Sequence, residues 1–353
     1  FMPGSEQSLP DEFSHEVSPE TMRCNGCGAK MAADPLRRVL ERLDIYKSDV
    51  IELGVGDDAA RIVTANGKML LTIDGFRALV SDPYLFGRIT AHHSLNDIFA
   101  MGATPKIALC LATVPYMAER LMEEDLYQLL SGSNDVLSEH RVSLVGGHTA
   151  EGMETSLGLM VTGTETGPSK EKGHARVGDS LILTKPIGTG AVLAAASVGG
   201  ASAESMSFCL DQMDKSNFDA MQIFMDENVS ALTDVTGYGL AGHLAEILRA
   251  SGCGVSLELN SIPFLLGSPS LVKSGYTSSL QNSNEQVLLD FELKNGLSMS
   301  VPELKLLADP QTAGGLLAAI PAENVSRCLD NLNAVGYDCA CVGSIEEENW
   351  LIR

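Results

Sequence analysis

The chain reads as an α+β protein of two domains. Its length of 353 residues is enough for two ordinary hydrophobic cores. Strand-like and helix-like stretches alternate irregularly, without the rhythm of a doubly wound sheet. A polar stretch over 164–179, rich in Gly, Lys and Glu, separates two blocks of such stretches. The expected division is a tail or linker over 1–20, an N-terminal domain over 21–165, a linker over 166–178 and a C-terminal domain over 179–353.

Residues 1–20 are polar and acidic with three prolines and no period, which predicts a flexible tail. Asp34 and Pro35 read as the N-cap and first residue of a helix, and Leu36, Val39, Leu40 and Leu43 keep the i, i+3, i+4, i+7 spacing. A short apolar strand is expected over 69–73, ending at Asp74. A helix follows over 88–101, stopped by Gly102 and Pro105, and then a strand over 107–114. Leu126, Leu129, Leu130, Ser133 and Leu137 mark the next helix, with strands over 142–145 and 157–163 closing the block. The second block predicts a strand over 180–184, a glycine turn and a helix from Gly190. Helices around 216–230 and 238–251 and strands near 255–259, 315–320 and 339–343 complete it. No repeat of roughly 20–50 residues is present.

Lys+Arg 24 against Asp+Glu 46 gives a net charge of −22, which argues against a nucleic-acid groove. A protein this acidic that binds phosphates needs Mg²⁺ as go-between, with carboxylates holding the metal. No apolar run approaches the roughly 20 residues of a membrane span, and the first residues lack the basic-then-apolar pattern of a secretory signal. Eight scattered cysteines do not resemble a disulfide framework, so a reducing, cytoplasmic setting is expected.

The chemistry-bearing stretch is Met22-Arg23-Cys24-Asn25-Gly26-Cys27-Gly28-Ala29-Lys30. A nearby ammonium favours a thiolate nucleophile, lysine binds phosphate as a point charge, and the glycines let the segment fold over a ligand. Half a zinc site, a redox dithiol and an inert surface loop fit the same residues. Four places put Asp where a cap or turn is the plain reading: Asp57-Asp58 after Gly54-Val55-Gly56, Asp74, Asp97 with His93 one turn back, and Asp234. Two adjacent carboxylates repel unless a cation sits between them. Gly146-Gly147-His148, the run from Lys185 to Gly190 and the run from Asp309 to Gly315 are glycine turns beside strands. Each could face backbone N–H groups toward an anion, and a plain tight turn serves as well.

The order of these motifs resembles selenophosphate synthetase (selenide, water dikinase), from about residue 22 to the C-terminus. Cys-Gly-x-Lys, Gly-Asp-Asp-Ala-Ala, Phe86-Gly87-Arg88-Ile89, the run from Asn96 to Gly102 and Gly-Gly-His come first. Leu-Thr-Lys-Pro-Ile-Gly-Thr-Gly, Asp-Val-Thr-Gly-Tyr-Gly-Leu-Ala-Gly-His-Leu and Asp-Pro-Gln-Thr-Ala-Gly-Gly-Leu-Leu follow. The later motifs are shared with the wider aminoimidazole-ribonucleotide-synthetase-like superfamily. The resemblance implies conversion of ATP, hydrogen selenide and water to selenophosphate, AMP and orthophosphate. It implies an N-terminal mixed sheet that forms a barrel in a homodimer, a C-terminal α+β sandwich, several Mg²⁺ ions, and K⁺ as activator. Carried over, Cys27 handles selenium, Lys30 contacts phosphates, and Asp58, Asp97 and Asp234 hold Mg²⁺. Val55, Gly56, Asp57, Asp74, Asp97, Gly146, Gly147 and His148 line the nucleotide site. The glycine-bearing N-terminal segment would serve as a mobile lid.

Two places depart from the family pattern. Ala29 stands where a second cysteine is frequent, while Cys24 is extra. His92-His93-Ser94 stands where relatives more often carry Asn or Ala, and reads as helix packing. Some members are fused behind a flavin oxidoreductase, and the polar start after Phe1 is compatible with the second half of such a fusion. A sister kinase of the thiamine-phosphate-kinase or carbamoyl-dehydrating type, or a nucleotide-binding paralogue without catalysis, shares most of these motifs.

Overall fold

The computed structural model describes residues 26–31, 33–43, 46, 48–65, 67–165, 167 and 170–353; the expected tail over 1–20 and Cys24 lie outside the described residues. The first block runs α1 (Ala33–Leu40), β1 (Ile51–Leu53), β2 (Ala60–Thr64), β3 (Gly67–Arg77), α2 (Pro83–Ala100), β4 (Ala103–Pro115), α3 (Glu119–Glu139), β5 (Ser143–Gly152) and β6 (Ser156–Glu165). Its six strands pair in the order β1-β2-β3-β6-β4-β5, antiparallel except for the parallel β4–β5 pair. Residues of β4 alternate: Ala108, Cys110 and Ala112 are buried, while Ile107, Leu109 and Leu111 face outward.

The buried side of that sheet packs on α2, which also touches α3 and elements of the second block. Asp82 caps α2, its carboxylate accepting the Leu85 N–H at 3.0 Å, with Pro83 as first residue. The helix therefore starts five residues before the expected position at Arg88. It is buried nearly all round from Phe86 to Ala100, so no apolar stripe marks its beginning. Gly87 and Gly132 let α2 and α3 cross closely: a Cβ at Gly132 would lie 2.0 Å from the Tyr84 carbonyl oxygen, and one at Gly87 would lie 2.1 Å from that of Leu129.

The second block runs β7 (Asp179–Leu183), α4 (Thr189–Ser197), α5 (Ala203–Met213), α6 (Phe218–Asp226), β8 (Ala231–Asp234), α7 (Gly239–Ser251) and β9 (Gly254–Leu257). It continues with α8 (Ser268–Lys273), α9 (Gln281–Asn284), β10 (Glu292–Leu293), α10 (Pro302–Leu306), β11 (Leu316–Pro321), α11 (Val325–Ala334), β12 (Ala340–Glu346) and β13 (Trp350–Ile352). Its sheet has the order β10-β13-β9-β12-β7-β11-β8. Alternate residues serve two cores. Ile182, Leu232, Ala318 and Ile320 join Leu95 and Phe99 of the first block, and Leu181, Leu183, Leu317 and Ala319 join Leu244 and Leu248 of α7. The architecture is α+β with mixed sheets, as expected.

Several local expectations change. Asp74 lies inside β3 and does not end it, because the strand continues to Arg77 against β6. Gly146-Gly147-His148 is not a turn: these residues continue β5 past a bulge against β4. Gly147 has φ +155, and a Cβ there would lie 1.9 Å from the Cys110 carbonyl oxygen. The helices α5, α8, α9, α10 and α11 and the short strands β1, β2, β8, β10 and β13 went unseen in the sequence. Among the described residues no helix is long and apolar enough to cross a membrane.

Candidate active site

Residues Gly26–Ala29 form a 3₁₀ turn closed by the Lys30 N–H donating to the Cys27 carbonyl at 3.1 Å. Gly26 takes φ +59, and a Cβ there would stand 2.6 Å from Thr312 Oγ1. That close approach seats Cys27 against the second block: its N–H donates to Thr312 Oγ1 at 3.1 Å, and the residue is 4% exposed. Its Sγ lies 3.5 Å from His93 Nε2.

Asp74 faces the same space from β3. Its Oδ2 is 3.1 Å from His93 Nε2, and its Oδ1 is 3.9 Å from Lys30 Nζ. Burial works against its charge, but His93 and Lys30 hold its carboxyl down at about 2. The Lys30 ammonium lies over the Tyr238 ring, 5.8 Å from its centroid. Burial disfavours that charge too; Asp74 and Cys27 outweigh it and raise the lysine above its ordinary range. Cys27, Lys30, Asp74, Phe76 and His93 line a pocket of about 170 Å³.

Next to it, Asp58 from the loop before β2, Asp97 from α2 and Asp234 at the end of β8 converge, with one oxygen of each within 4.8 Å of the others. Thr72, two residues from Asp74 on the same face of β3, hydrogen-bonds Asp97 Oδ2. The two parts of the site are therefore roughly 7 Å apart along one strand. Asp58 Oδ2 and Asp234 Oδ2 are buried without a hydrogen-bond partner. Burial and the neighbouring Asp234 push Asp97 well above the usual carboxylate range, and burial and Asp58 push Asp234 up to about 6. Converging carboxylates with unpartnered oxygens are hard donors that fit a cation such as Mg²⁺.

Lys172 supplies the fixed cation beside them. Its Nζ lies 2.7 Å from Asp58 Oδ1 and 2.8 Å from Glu246 Oε2, and Glu246 in turn lies 3.3 Å from His243 Nδ1. Asp57 is half-buried, accepting the Asp58 N–H at 2.9 Å and the Lys172 N–H at 3.4 Å. Val55 and Gly56 precede it in an exposed loop.

Of the sequence-derived residues, Cys27, Lys30, Asp57, Asp58, Asp74, Asp97 and Asp234 come together, with Val55 and Gly56 at the margin. Gly146, Gly147 and His148 do not join them within the chain. His148 pairs with Leu111, Leu111 with Gly158 and Gly158 with Gly75, three strand spacings or roughly 14 Å across the sheet. The glycine runs 185–190 and 309–315 face each other. Gln311 Oε1 accepts the Gly188 and Thr189 N–H groups at 2.9 and 3.1 Å, and Asp309 Oδ2 accepts that of Gly190 at 2.9 Å. The N–H groups that could have cradled an anion are already used. His93, Lys172, Glu246 and Thr312 were not anticipated as site residues. His93 carried a signal, its position one turn from Asp97; the others meet the site only through contacts far apart in the chain.

Residues 56–167 match the family described as AIR synthase related protein, N-terminal domain, and residues 176–351 match AIR synthase related protein, C-terminal domain. The selenide, water dikinase of Myxococcus xanthus is 36% identical over 336 residues, covering 93% of this chain and 94% of that one. The selenide, water dikinase of Pelobacter propionicus is 36% identical over 338 residues, covering 93% and 95%. Among solved structures, the thiamine monophosphate kinase of Aquifex aeolicus aligns with a TM-score of 0.63 at 18% identity, covering 90% of this chain and 94% of that one. A structure of the HypE–HypF complex aligns with a TM-score of 0.66 at 16% identity, covering 91% and 96%. The structural likenesses speak to the fold, and the two full-length sequence relatives to the family: the chain belongs to the selenide, water dikinase family of enzymes.

Proposed function

We propose that this chain makes selenophosphate from ATP, hydrogen selenide and water, releasing AMP and orthophosphate, with Cys27 and Lys30 as its catalytic pair. The observation that carries the reading is that Cys27 lies against His93 and Lys30 against Asp74, around one pocket two residues along β3 from the contact to the Asp58–Asp97–Asp234 cluster. Cys27 handles selenium and Lys30 neutralises phosphate oxygens. Asp58, Asp97 and Asp234 hold Mg²⁺, while Asp57, Asp74 and the Val55–Gly56 backbone flank the nucleotide. Mg²⁺ bound there supplies the positive charge that lets an acidic protein take up and cleave a polyphosphate. The turn around Cys27 acts as a lid that keeps water from the intermediate. K⁺ is the expected activator, the homodimer the expected assembly and the reducing cytoplasm the expected setting; the seven cysteines among the described residues are free.

The test is ³¹P NMR of ATP, Mg²⁺ and anaerobic selenide with the wild type and with Cys27→Ser. A selenophosphate resonance with matching AMP, lost in the variant, supports the reading. ATP consumed without that resonance, or a fully active Cys27→Ser, overturns it in favour of a sister kinase; bound nucleotide without turnover favours a paralogue without catalysis.

A further inference from the structure

We propose that His93 is a further catalytic residue of this chain: the hydrogen-bond donor that engages the Cys27 sulfur from inside the protein. The proposal rests on the reading of Cys27 as the selenium-handling residue. His93 belongs to α2 and is 1% exposed, its ring edge-on to Phe76 at 5.1 Å. Its Nδ1 accepts the Ala313 N–H at 3.2 Å. A ring nitrogen that accepts carries no proton, so the neutral imidazole keeps its proton on Nε2. Nε2 faces two acceptors, Asp74 Oδ2 at 3.1 Å and Cys27 Sγ at 3.5 Å. The Nε2–H is therefore shared between a carboxylate that orients it and a sulfur that can use it. With Nδ1 occupied, Nε2 has no lone pair to offer a thiol, so His93 acts on the Cys27 sulfur as a donor and does not strip its proton.

The charged groups at this contact are Asp74 from β3 and, on its other oxygen, Lys30 just past the turn, with Asp234 within charge range of the ring. Cys27 and Asp74 pull toward a second proton on the ring, against burial; the Ala313 N–H pointing at Nδ1 leaves that proton no place, so the ring stays neutral. The neighbouring His92 shows what packing alone looks like. It is equally buried, its nitrogens make no hydrogen bond, and its nearest carboxylate oxygen, on Asp214, is 3.5 Å away.

Two substitutions separate the roles. His93→Asn keeps an acceptor where Nδ1 meets the Ala313 N–H, but its amide falls short of Sγ. His93→Gln carries an amide N–H out to where Nε2 meets Sγ and gives up the acceptor at Nδ1. The readouts are the rate of Cys27 alkylation by iodoacetamide, located by mass spectrometry, and kcat and KM for ATP in selenophosphate formation. In His93→Asn the alkylation rate and kcat are expected to fall about ten- to a hundred-fold, the range for a hydrogen bond to a charged group, with KM for ATP unchanged. His93→Gln is expected to recover much of both. An alkylation rate in His93→Asn within about two-fold of wild type, far below a charged hydrogen bond, overturns the proposal, as does an equal loss in both variants. A fully active Cys27→Ser overturns the catalytic role together with the reading it rests on, while the alkylation rates still report on the contact itself.

Discussion

At the scale of single residues, the carboxylate cluster makes the sharpest demand. Asp58, Asp97 and Asp234 are gathered from three elements into a buried space with two oxygens unpartnered. Without a cation beyond Lys172, that arrangement costs stability. Asp234, raised from 3.8 to about 6, binds its proton more tightly folded than unfolded. Its carboxyl therefore lowers the stability of metal-free protein as pH rises through that window, by roughly 3 kcal/mol once fully ionised. Two outcomes follow from one set of melts in EDTA and in Mg²⁺. Metal-free wild type is expected to melt lower at pH 7 than at pH 5, and Asp234→Asn to lose part of that difference, the rest staying with Asp97. Mg²⁺ is expected to raise the wild-type Tm at pH 7 and to leave the variant where it was. A wild-type Tm indifferent to Mg²⁺ would remove the cluster as a metal site.

Among elements, α2 is the one on which the site depends. It carries His93 toward β3 and Asp97 toward the cluster, and its Asn96 amide donates to the Gly314 carbonyl at 3.4 Å. Its seat is set by the crossing with α3, where both close contacts are between backbones. Gly132→Ala is expected to destabilise by about 3 kcal/mol, since a methyl 2.0 Å from the Tyr84 oxygen cannot be absorbed by a side chain. Gly54→Ala, whose methyl meets only Ile51 Cγ2 at 3.8 Å, serves as the control with an unchanged denaturation midpoint. Equal midpoints for the two variants would contradict the close crossing. The same helix shows what could be read from sequence. The exposed α3 displayed its apolar stripe, whereas α2, enclosed on every side, hid its first turn even though the Asp82-Pro83 cap stood in plain view. Asp58, Asp97 and Asp234 were legible as acids at turns and motif positions, although nothing local showed that they converge. Lys172 lay in a stretch that looked like a spacer, and its salt bridge to Glu246 spans 74 positions, beyond any local pattern.

For the whole molecule, the outer face of the first sheet is the feature one chain leaves unused. Ile73 is 66% exposed, Leu111 51% and Val145 54%; with Ile107 and Leu109 they lie on β3, β4 and β5, Ile73 set off from β4 by the intervening β6. An apolar strip of this kind marks an interaction surface, and the outward alternation of β4 shows that it arises from the strand pattern itself. The α1 region adds a smaller exposure, because Val39 in the helix and Leu43 just past its end find no core among the described residues. The occupant expected there is a second copy of the chain, packed face to face. Two sheets so packed put their outward residues into a shared interior, where a charge on β4 has no partner. Leu111→Glu is therefore expected to turn a wild-type homodimer into a monomer in sedimentation velocity, with far-ultraviolet circular dichroism unchanged. A wild type that sediments as a monomer at micromolar concentration would refute the dimer. A Leu111→Glu protein that stays dimeric would move the interface off this sheet, leaving α1 as the next surface to charge.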